Sequence, residues 1–170
     1  MKRLILFIII TLLMTGCASY NPSIPEGYTG PIAFIHDTNT SIDEGKTNIF
    51  YLSAIDGKDI ENSRYKTDSA SQGHGDHLHV ILLNNRVPAG EHTFTIIGRT
   101  VYAMPLRAFA GTVYEVKGQV AFSPLPNEEY IVKGSLSEER SSVWIEKVSG
   151  GQIIKKIEIE GPSKLGFFEK

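Results

Sequence analysis

The sequence predicts an all-β protein, an antiparallel β-sandwich of about seven to eight strands preceded by a signal peptide and a flexible tether. Beyond Gly30 the chain shows no convincing helical period. It shows short runs rich in β-branched and aromatic residues, broken by Gly, Pro, Asn and Asp. The 16 Gly and 8 Pro favour a turn-rich chain. Eight short strands in one domain are typical of a sandwich.

The predicted strands follow one another with short connections. They cover residues 31–36, 48–55, 77–83, 92–101, 112–122, 129–136, 142–148 and 153–159. Three connections carry turn residues, namely 56–57 (DG), 88–90 (PAG) and 150–151 (GG). The last of these joins the final two strands as a hairpin.

Alternation along the strands predicts which side chains enter the core. Phe94 and Ile96 share one face of their strand, and Val143 and Ile145 share one face of theirs, because successive side chains point to opposite faces. We expect these four side chains to point inward. Trp144 then lies on the outer face, either exposed as a binding aromatic or covered by a loop or a neighbouring edge.

A short repeat predicts one strand pair. Residues 114–118 (YEVKG) and 130–134 (YIVKG) share the same pattern, with Tyr and Val on one face. Antiparallel pairing of these two segments would explain the repeat.

The N-terminus predicts export. Lys2 and Arg3 precede an apolar run over residues 4–14 that only Thr11 interrupts. Eleven helical residues reach about 16 Å, roughly half of a bilayer's hydrocarbon core, so a permanent membrane span is disfavoured. The segment is typical of a signal peptide that is removed.

A lipidation motif follows the apolar run. Met14, Thr15, Gly16 and Cys17 resemble the lipobox of bacterial lipoproteins, in which the cysteine is acylated and becomes the new N-terminus. The alternative is an ordinary secretory signal followed by a chance cysteine. Cys17 is the sole cysteine, so an internal disulfide is excluded. A cysteine carrying two or three acyl chains would anchor the protein firmly to a membrane.

These signals divide the chain into four parts. Residues 1–16 are the signal peptide, 17–30 the lipidated cysteine and a Pro- and Gly-containing tether, 31–160 the β-sandwich domain and 161–170 a C-terminal tail. The 17 basic and 19 acidic residues give a net charge of −2, and removal of Lys2 and Arg3 makes the exported chain more acidic. This charge does not favour nucleic acid as a partner.

Four segments carry a resemblance to a known group of proteins. They are residues 86–92 (RVPAGEH), 102–106 (YAMPL), 130–134 (YIVKG) and 142–146 (SVWIE). The chain is similar to small bacterial envelope lipoproteins that look like transthyretin-type or immunoglobulin-like β-sandwiches. The resemblance implies this fold and an envelope location, and it implies no catalytic residue. Ala18 after the cysteine implies, by resemblance to Gram-negative lipoproteins, an outer-membrane location facing the periplasm.

One segment suggests a metal site. His74, Asp76, His77 and His79 lie within six residues. If His77 and His79 lie on a strand, they project to the same face about 6.6 Å apart, a spacing from which two imidazoles can bind one zinc or copper ion. A third ligand could be His74, Asp76, His36, Asp37 or His92. The alternative is a polar loop that enters a strand with both histidines in solvent.

Two hypotheses of function follow. The sequence contains no phosphate-binding glycine loop and no G-x-S-x-G motif, and its one cysteine is assigned to lipid, so no catalytic residue is predicted. The favoured hypothesis is a non-enzymatic envelope module, without a cofactor, that contacts another envelope protein or a surface polymer. The other is a zinc- or copper-binding protein that uses the His-rich segment.

Overall fold

The computed structural model describes residues 20–170, which fold into two five-stranded β-sheets packed face to face. The strands of this part of the chain are β1 (Ile32–His36), β2 (Thr38–Asp43), β3 (Lys46–Ile55), β4 (Lys58–Asp59), β5 (Asn84–Pro88), β6 (His92–Tyr102), β7 (Glu115–Phe122), β8 (Glu129–Ser135), β9 (Arg140–Lys147) and β10 (Ile153–Glu160). Its helices are α1 (Ser63–Ser71) and α2 (Pro105–Ala110). The predicted all-β sandwich is confirmed.

The two sheets share the chain between them. The first sheet has the order β10-β9-β8-β1-β5, and the second has the order β2-β3-β6-β7 with β4 paired to β3. Strands β1 and β8 are parallel, whereas the other pairs among these ten strands are antiparallel. Strands β1 and β2 follow each other almost without interruption, so the chain passes from one sheet to the other at Asp37.

Seven of the eight predicted strands form, with boundaries that differ by a few residues. The strand predicted over residues 77–83 is wrong, because this segment lies outside both sheets. Its amides bond instead to hydroxyl groups of α1, as described below. The strands β2, β4 and β5 and both helices were not predicted.

The core lies between the sheets, and alternation predicts its members correctly. Phe94 and Ile96 of β6, and Val143 and Ile145 of β9, are completely buried. Trp144 lies on the outer face of the first sheet and is half-buried. The ammonium of Lys156, on the neighbouring strand β10, lies 5.7 Å from the Trp144 ring centroid.

Glycine makes room for a large core side chain. Phe50 of β3 packs against Gly98 of β6 in its own sheet and against Gly134 of β8 in the facing sheet. A Cβ atom at either glycine would overlap the phenyl ring. These two positions therefore let an aromatic ring bridge the sheets without separating them.

The predicted pairing of the YEVKG and YIVKG segments is wrong. Strand β7 pairs with β6 in the second sheet, whereas β8 pairs with β1 and β9 in the first. The connection over residues 123–128 crosses between the sheets. The repeat reflects a shared burial pattern, because Val116 and Val132 are both buried in the core.

The predicted turns form as expected. Asp56 and Gly57 both have positive φ, 50° and 76°, as a tight hairpin turn requires. The carboxylate of Asp56 stabilises this turn by accepting from the backbone N–H of Thr93 at 2.9 Å. Gly150 and Gly151, with φ of 88° and 66°, connect β9 to β10.

Both ends of the described chain contact the sandwich. The backbone N–H of Asn21 donates to the carbonyl of Asp59 at 2.9 Å, and the Tyr20 ring lies 5.2 Å from the ring of Tyr65 on α1. At the other end, the Leu165 N–H donates to the carbonyl of Val113 at 2.9 Å. Neither helix within residues 20–170 has the length and apolar composition needed to cross a membrane.

Candidate functional site

Helix α1 is held in place by hydroxyl groups rather than by apolar side chains. Asn62 caps its first turn by accepting from the Tyr65 N–H at 3.1 Å. Ser63, Thr67 and Ser71 recur every four residues, so they share one buried face, which we call the hydroxyl stripe.

The hydroxyl stripe binds the segment that sequence analysis assigned to a strand. The N–H groups of His79, Ile81 and Leu83 donate to Ser71, Thr67 and Ser63, at 3.0, 2.9 and 2.8 Å. Every second amide of the extended segment is thus satisfied by a helix side chain. This is why the segment has the alternation of a strand but no strand as a partner.

Helix α1 and this segment cover the outer face of the second sheet. Ile49, Tyr51, Ile97 and Val101 form a second buried cluster there, and Leu78 and Val80 of the extended segment pack against it. Burial raises the pKa of Tyr51 to about 12. The outer face of this sheet therefore carries a third layer, absent from the simple two-layer sandwich that the sequence predicts.

A pocket of about 260 Å³ opens in this layer, between α1 and α2. We call it the α1–α2 pocket. Its polar lining includes Arg64 and Asp68 of α1, Gln72 directly after α1, Arg99 of β6 and Lys170. Its apolar lining includes Val101, Pro105, Ala108, Phe109 and Val113. Three cations and one carboxylate thus share a small space with apolar walls.

Two ion pairs lie in or beside the α1–α2 pocket. Arg99, whose side chain is only 8% exposed, is paired with Glu115, and the Arg64 Nε lies 3.6 Å from Asp68 Oδ2. Burial raises the pKa of Asp68, and the charges of Arg64 and Arg99 partly oppose this shift. The Lys170 ammonium donates to the backbone carbonyls of Phe109 and Gly111, and neither of these contacts involves a carboxylate.

Exposed apolar side chains lie next to the α2 wall of the pocket, which Phe109 lines. The rings of Phe109 and Phe167 lie 5.5 Å apart, and those of Phe167 and Phe168 lie 5.3 Å apart. Phe168 is 97% exposed and Leu106, on α2, is 72% exposed. We call these four side chains the phenyl rim. A cluster of exposed apolar side chains marks a surface that binds a ligand, a protein or a membrane.

Known proteins give no guide to this site. Comparisons with protein-family models, with curated proteins and with solved structures found no match. The chemistry of the site therefore follows from its own geometry: guanidinium and ammonium groups bind carboxylate or phosphate, and the walls and rim accommodate hydrocarbon.

His74 and Asp76 of the predicted metal site lie in the loop after α1, and His77 and His79 lie at the start of the extended segment. The rings of His74 and His79 are 4.2 Å apart, His77 Nδ1 lies 3.6 Å from Glu44 Oε2, and Asp76 accepts from Arg107 at 2.6 Å. The strand that the prediction assumed for His77 and His79 does not form. Within residues 20–170, no three His, Cys, Asp or Glu side chains form a group suited to a metal ion.

The other suggested ligands lie in separate places. His92 Nδ1 is 2.7 Å from Asp56, and His36 Nε2 is 3.5 Å from Glu129. Asp37 is buried in the corner where the chain changes sheets.

The predicted lipidation site lies outside the described residues. Met14, Thr15, Gly16 and Cys17 all precede residue 20. Cleavage before Cys17 and acylation of its thiol therefore stay predictions.

The α1–α2 pocket was not found from the sequence. Its residues come from α1, β6, α2 and the C-terminal segment, which are distant in sequence. One local signal was present: Asn62 followed by hydroxyl residues at 63, 67 and 71 is the spacing of a capped helix. Arg64, the arginine of that helix, would then have been a candidate.

Proposed function

We propose that this chain is a bacterial lipoprotein, cleaved before Cys17 and acylated there, whose sandwich domain is a non-enzymatic binding module of the cell envelope. It is held at the outer membrane and faces the periplasm. The domain binds an anionic, partly apolar component of the envelope through the α1–α2 pocket.

The anchor is supported by the sequence. A basic start, an apolar run too short for a stable span, and small residues before the sole cysteine are together typical of a lipoprotein precursor. Acyl chains on Cys17 would hold the domain beside a lipid surface.

The observation that carries the binding role is the pairing of cations with hydrocarbon in one place. Arg64 and Lys170 line a pocket whose walls are apolar, and the phenyl rim continues that apolar surface outward. An anion bonded by a guanidinium in a partly enclosed site is held more strongly than one in open water. An attached hydrocarbon group gains further by burial.

Phenyl phosphate is a suitable probe because it combines an anion with an apolar ring. The full chain, reconstituted in phosphatidylcholine vesicles, is titrated calorimetrically with this compound. We expect saturable binding that Arg64→Gln weakens by about tenfold, as loss of one charge-assisted hydrogen bond implies.

Arg140→Gln is the matched control, because Arg140 pairs with Glu158 at the first sheet, away from the pocket. It should bind phenyl phosphate like the unaltered chain. A role for the pocket is contradicted if the Arg64→Gln chain binds phenyl phosphate as tightly as the unaltered chain, or if none of the three chains binds it.

A further inference from the structure

The layer that carries the α1–α2 pocket contains the place where the described chain joins the N-terminal segment. Tyr20 stacks on Tyr65 of α1, and Asn21 is fixed to Asp59 by its backbone N–H at 2.9 Å and by its side-chain amide at 3.0 Å. Residues 64 and 68 of the same helix, and residue 72 directly after it, line the pocket.

The distance from this point to the proposed lipid is short. Cys17 and Tyr20 are three residues apart, so a fully extended chain separates their Cα atoms by at most about 11 Å. While Tyr20 and Asn21 keep their contacts, α1 must therefore lie close to the surface in which the acyl chains are inserted.

The phenyl rim lies on the same layer, across the pocket from α1. Its rings are exposed without a covering element in residues 20–170, and the exposed Lys164 precedes Phe167 and Phe168 by a few residues. Aromatic rings beside long cationic side chains suit the interface between lipid headgroups and acyl chains. The ammonium group of Lys164 at this position would face lipid phosphates.

We propose that the partner of this site is the membrane surface itself: the phenyl rim inserts among the headgroups, and the α1–α2 pocket takes the phosphate of an anionic phospholipid. The proposal rests on the lipid anchor at Cys17. It makes the anchored domain lie on the bilayer through its helical layer, with the first sheet facing away.

The single tryptophan provides an internal control. Trp144 lies on the outer face of the first sheet, on the opposite side of the sandwich from the helical layer. Two face-to-face sheets are about 10 Å apart, so at least this distance separates the outer face that carries Trp144 from the helical layer.

The test uses the full, acylated chain in vesicles of phosphatidylethanolamine and phosphatidylglycerol, part of whose acyl chains are brominated to quench indole fluorescence. The unaltered chain reports from Trp144. A Trp144→Phe, Phe168→Trp chain reports from the rim. We expect strong quenching at position 168, little quenching at Trp144, and weaker quenching at 168 when phosphatidylcholine replaces phosphatidylglycerol.

Flotation of the same vesicles reports the anchor separately. A chain that floats with vesicles but is quenched no more at position 168 than at Trp144 overturns the docking proposal and leaves the anchor intact. A chain that does not float overturns both. Rapid disulfide dimerisation of an acylated Phe168→Cys chain, without quenching at position 168, would assign the rim to a second copy and also overturn the proposal.

Discussion

Asp37 shows how one residue joins the two sheets. The ladder between β2 and β3 ends at the pair Thr38 and Phe50, which leaves the N–H of Leu52 without a backbone partner from β2. The buried Asp37 carboxylate accepts from Leu52 at 3.0 Å, from Asn85 at 3.1 Å and from the Ser63 hydroxyl. A side chain thereby replaces the missing ladder bond and ties β1, β3, β5 and α1 together.

Asp37 should make stability depend on pH. Burial raises its pKa from 3.8 to about 7, although hydrogen bonds to Ser63, Leu52 and Asn85 oppose the shift. The folded protein therefore keeps this proton between these pH values while the unfolded chain loses it, so the free energy of unfolding falls as pH rises through this range.

Denaturant unfolding of the unaltered and Asp37→Asn chains from pH 4 to pH 8 measures this effect. We expect the unaltered chain to lose stability relative to the variant by an amount on the order of a few kcal/mol, because Asn cannot ionise. A constant difference between the two chains across the range would show that Asp37 does not titrate there.

The contact between Gly134 and Phe50 gives a second prediction. Gly134→Ala places a methyl group into the Phe50 ring and 2.5 Å from the carbonyl oxygen of Ser142. We expect a loss of about 1–3 kcal/mol in the free energy of unfolding, as overpacking of a close-packed core implies. Ser135→Ala, at the exposed neighbouring position, should change stability little.

A double variant identifies the cause. In a Phe50→Leu background the smaller side chain leaves room for the methyl group, so Gly134→Ala should cost less than it does alone. Equal costs in both backgrounds would mean that the ring is not the obstacle.

At the scale of elements, α1 depends on its hydroxyl stripe. Thr67 accepts from the Ile81 N–H at 2.9 Å and donates to the Ile81 carbonyl at 3.3 Å. Thr67→Val keeps the shape and removes both bonds. We expect about 1–3 kcal/mol of destabilisation, because a partly buried amide loses its acceptor, together with faster hydrogen exchange at Ile81.

Ser69→Ala is the control for this prediction, since Ser69 is exposed on the same helix. Stability and exchange at Ile81 should not change in this variant. If the Ile81 amide exchanges as slowly in the Thr67→Val chain as in the unaltered chain, the hydroxyl stripe does not hold α1 in place.

The period of apolar residues in the sequence predicts the strands that bury apolar side chains on one face, but it does not predict α1. Periodic apolar residues identify an element that packs by the hydrophobic effect, as in β6 and β9. The buried face of α1 is made of Ser63, Thr67 and Ser71, so it carries no apolar period. The extended segment over residues 77–83 alternates as a strand does, and only its partners show that it belongs to neither sheet.

At the scale of the whole molecule, the number and kind of strands predict a sandwich, but not their arrangement. Which strands pair is decided by contacts between residues far apart in sequence. The parallel pair β1 and β8 and the separation of β7 from β8 are both decided in this way. The α1–α2 pocket likewise depends on how the elements pack, because its lining residues come together only where both helices cover the second sheet.

We propose above all that lipid on Cys17 holds the sandwich domain at a membrane. The most direct test is the intact mass of the mature chain extracted from bacterial membranes, with a Cys17→Ala chain beside it. We expect the mature chain to begin at Cys17 with the added mass of two or three acyl chains, and the Cys17→Ala chain to lack this addition. A mature chain in the soluble fraction that begins at another residue, without added mass, would contradict the claim.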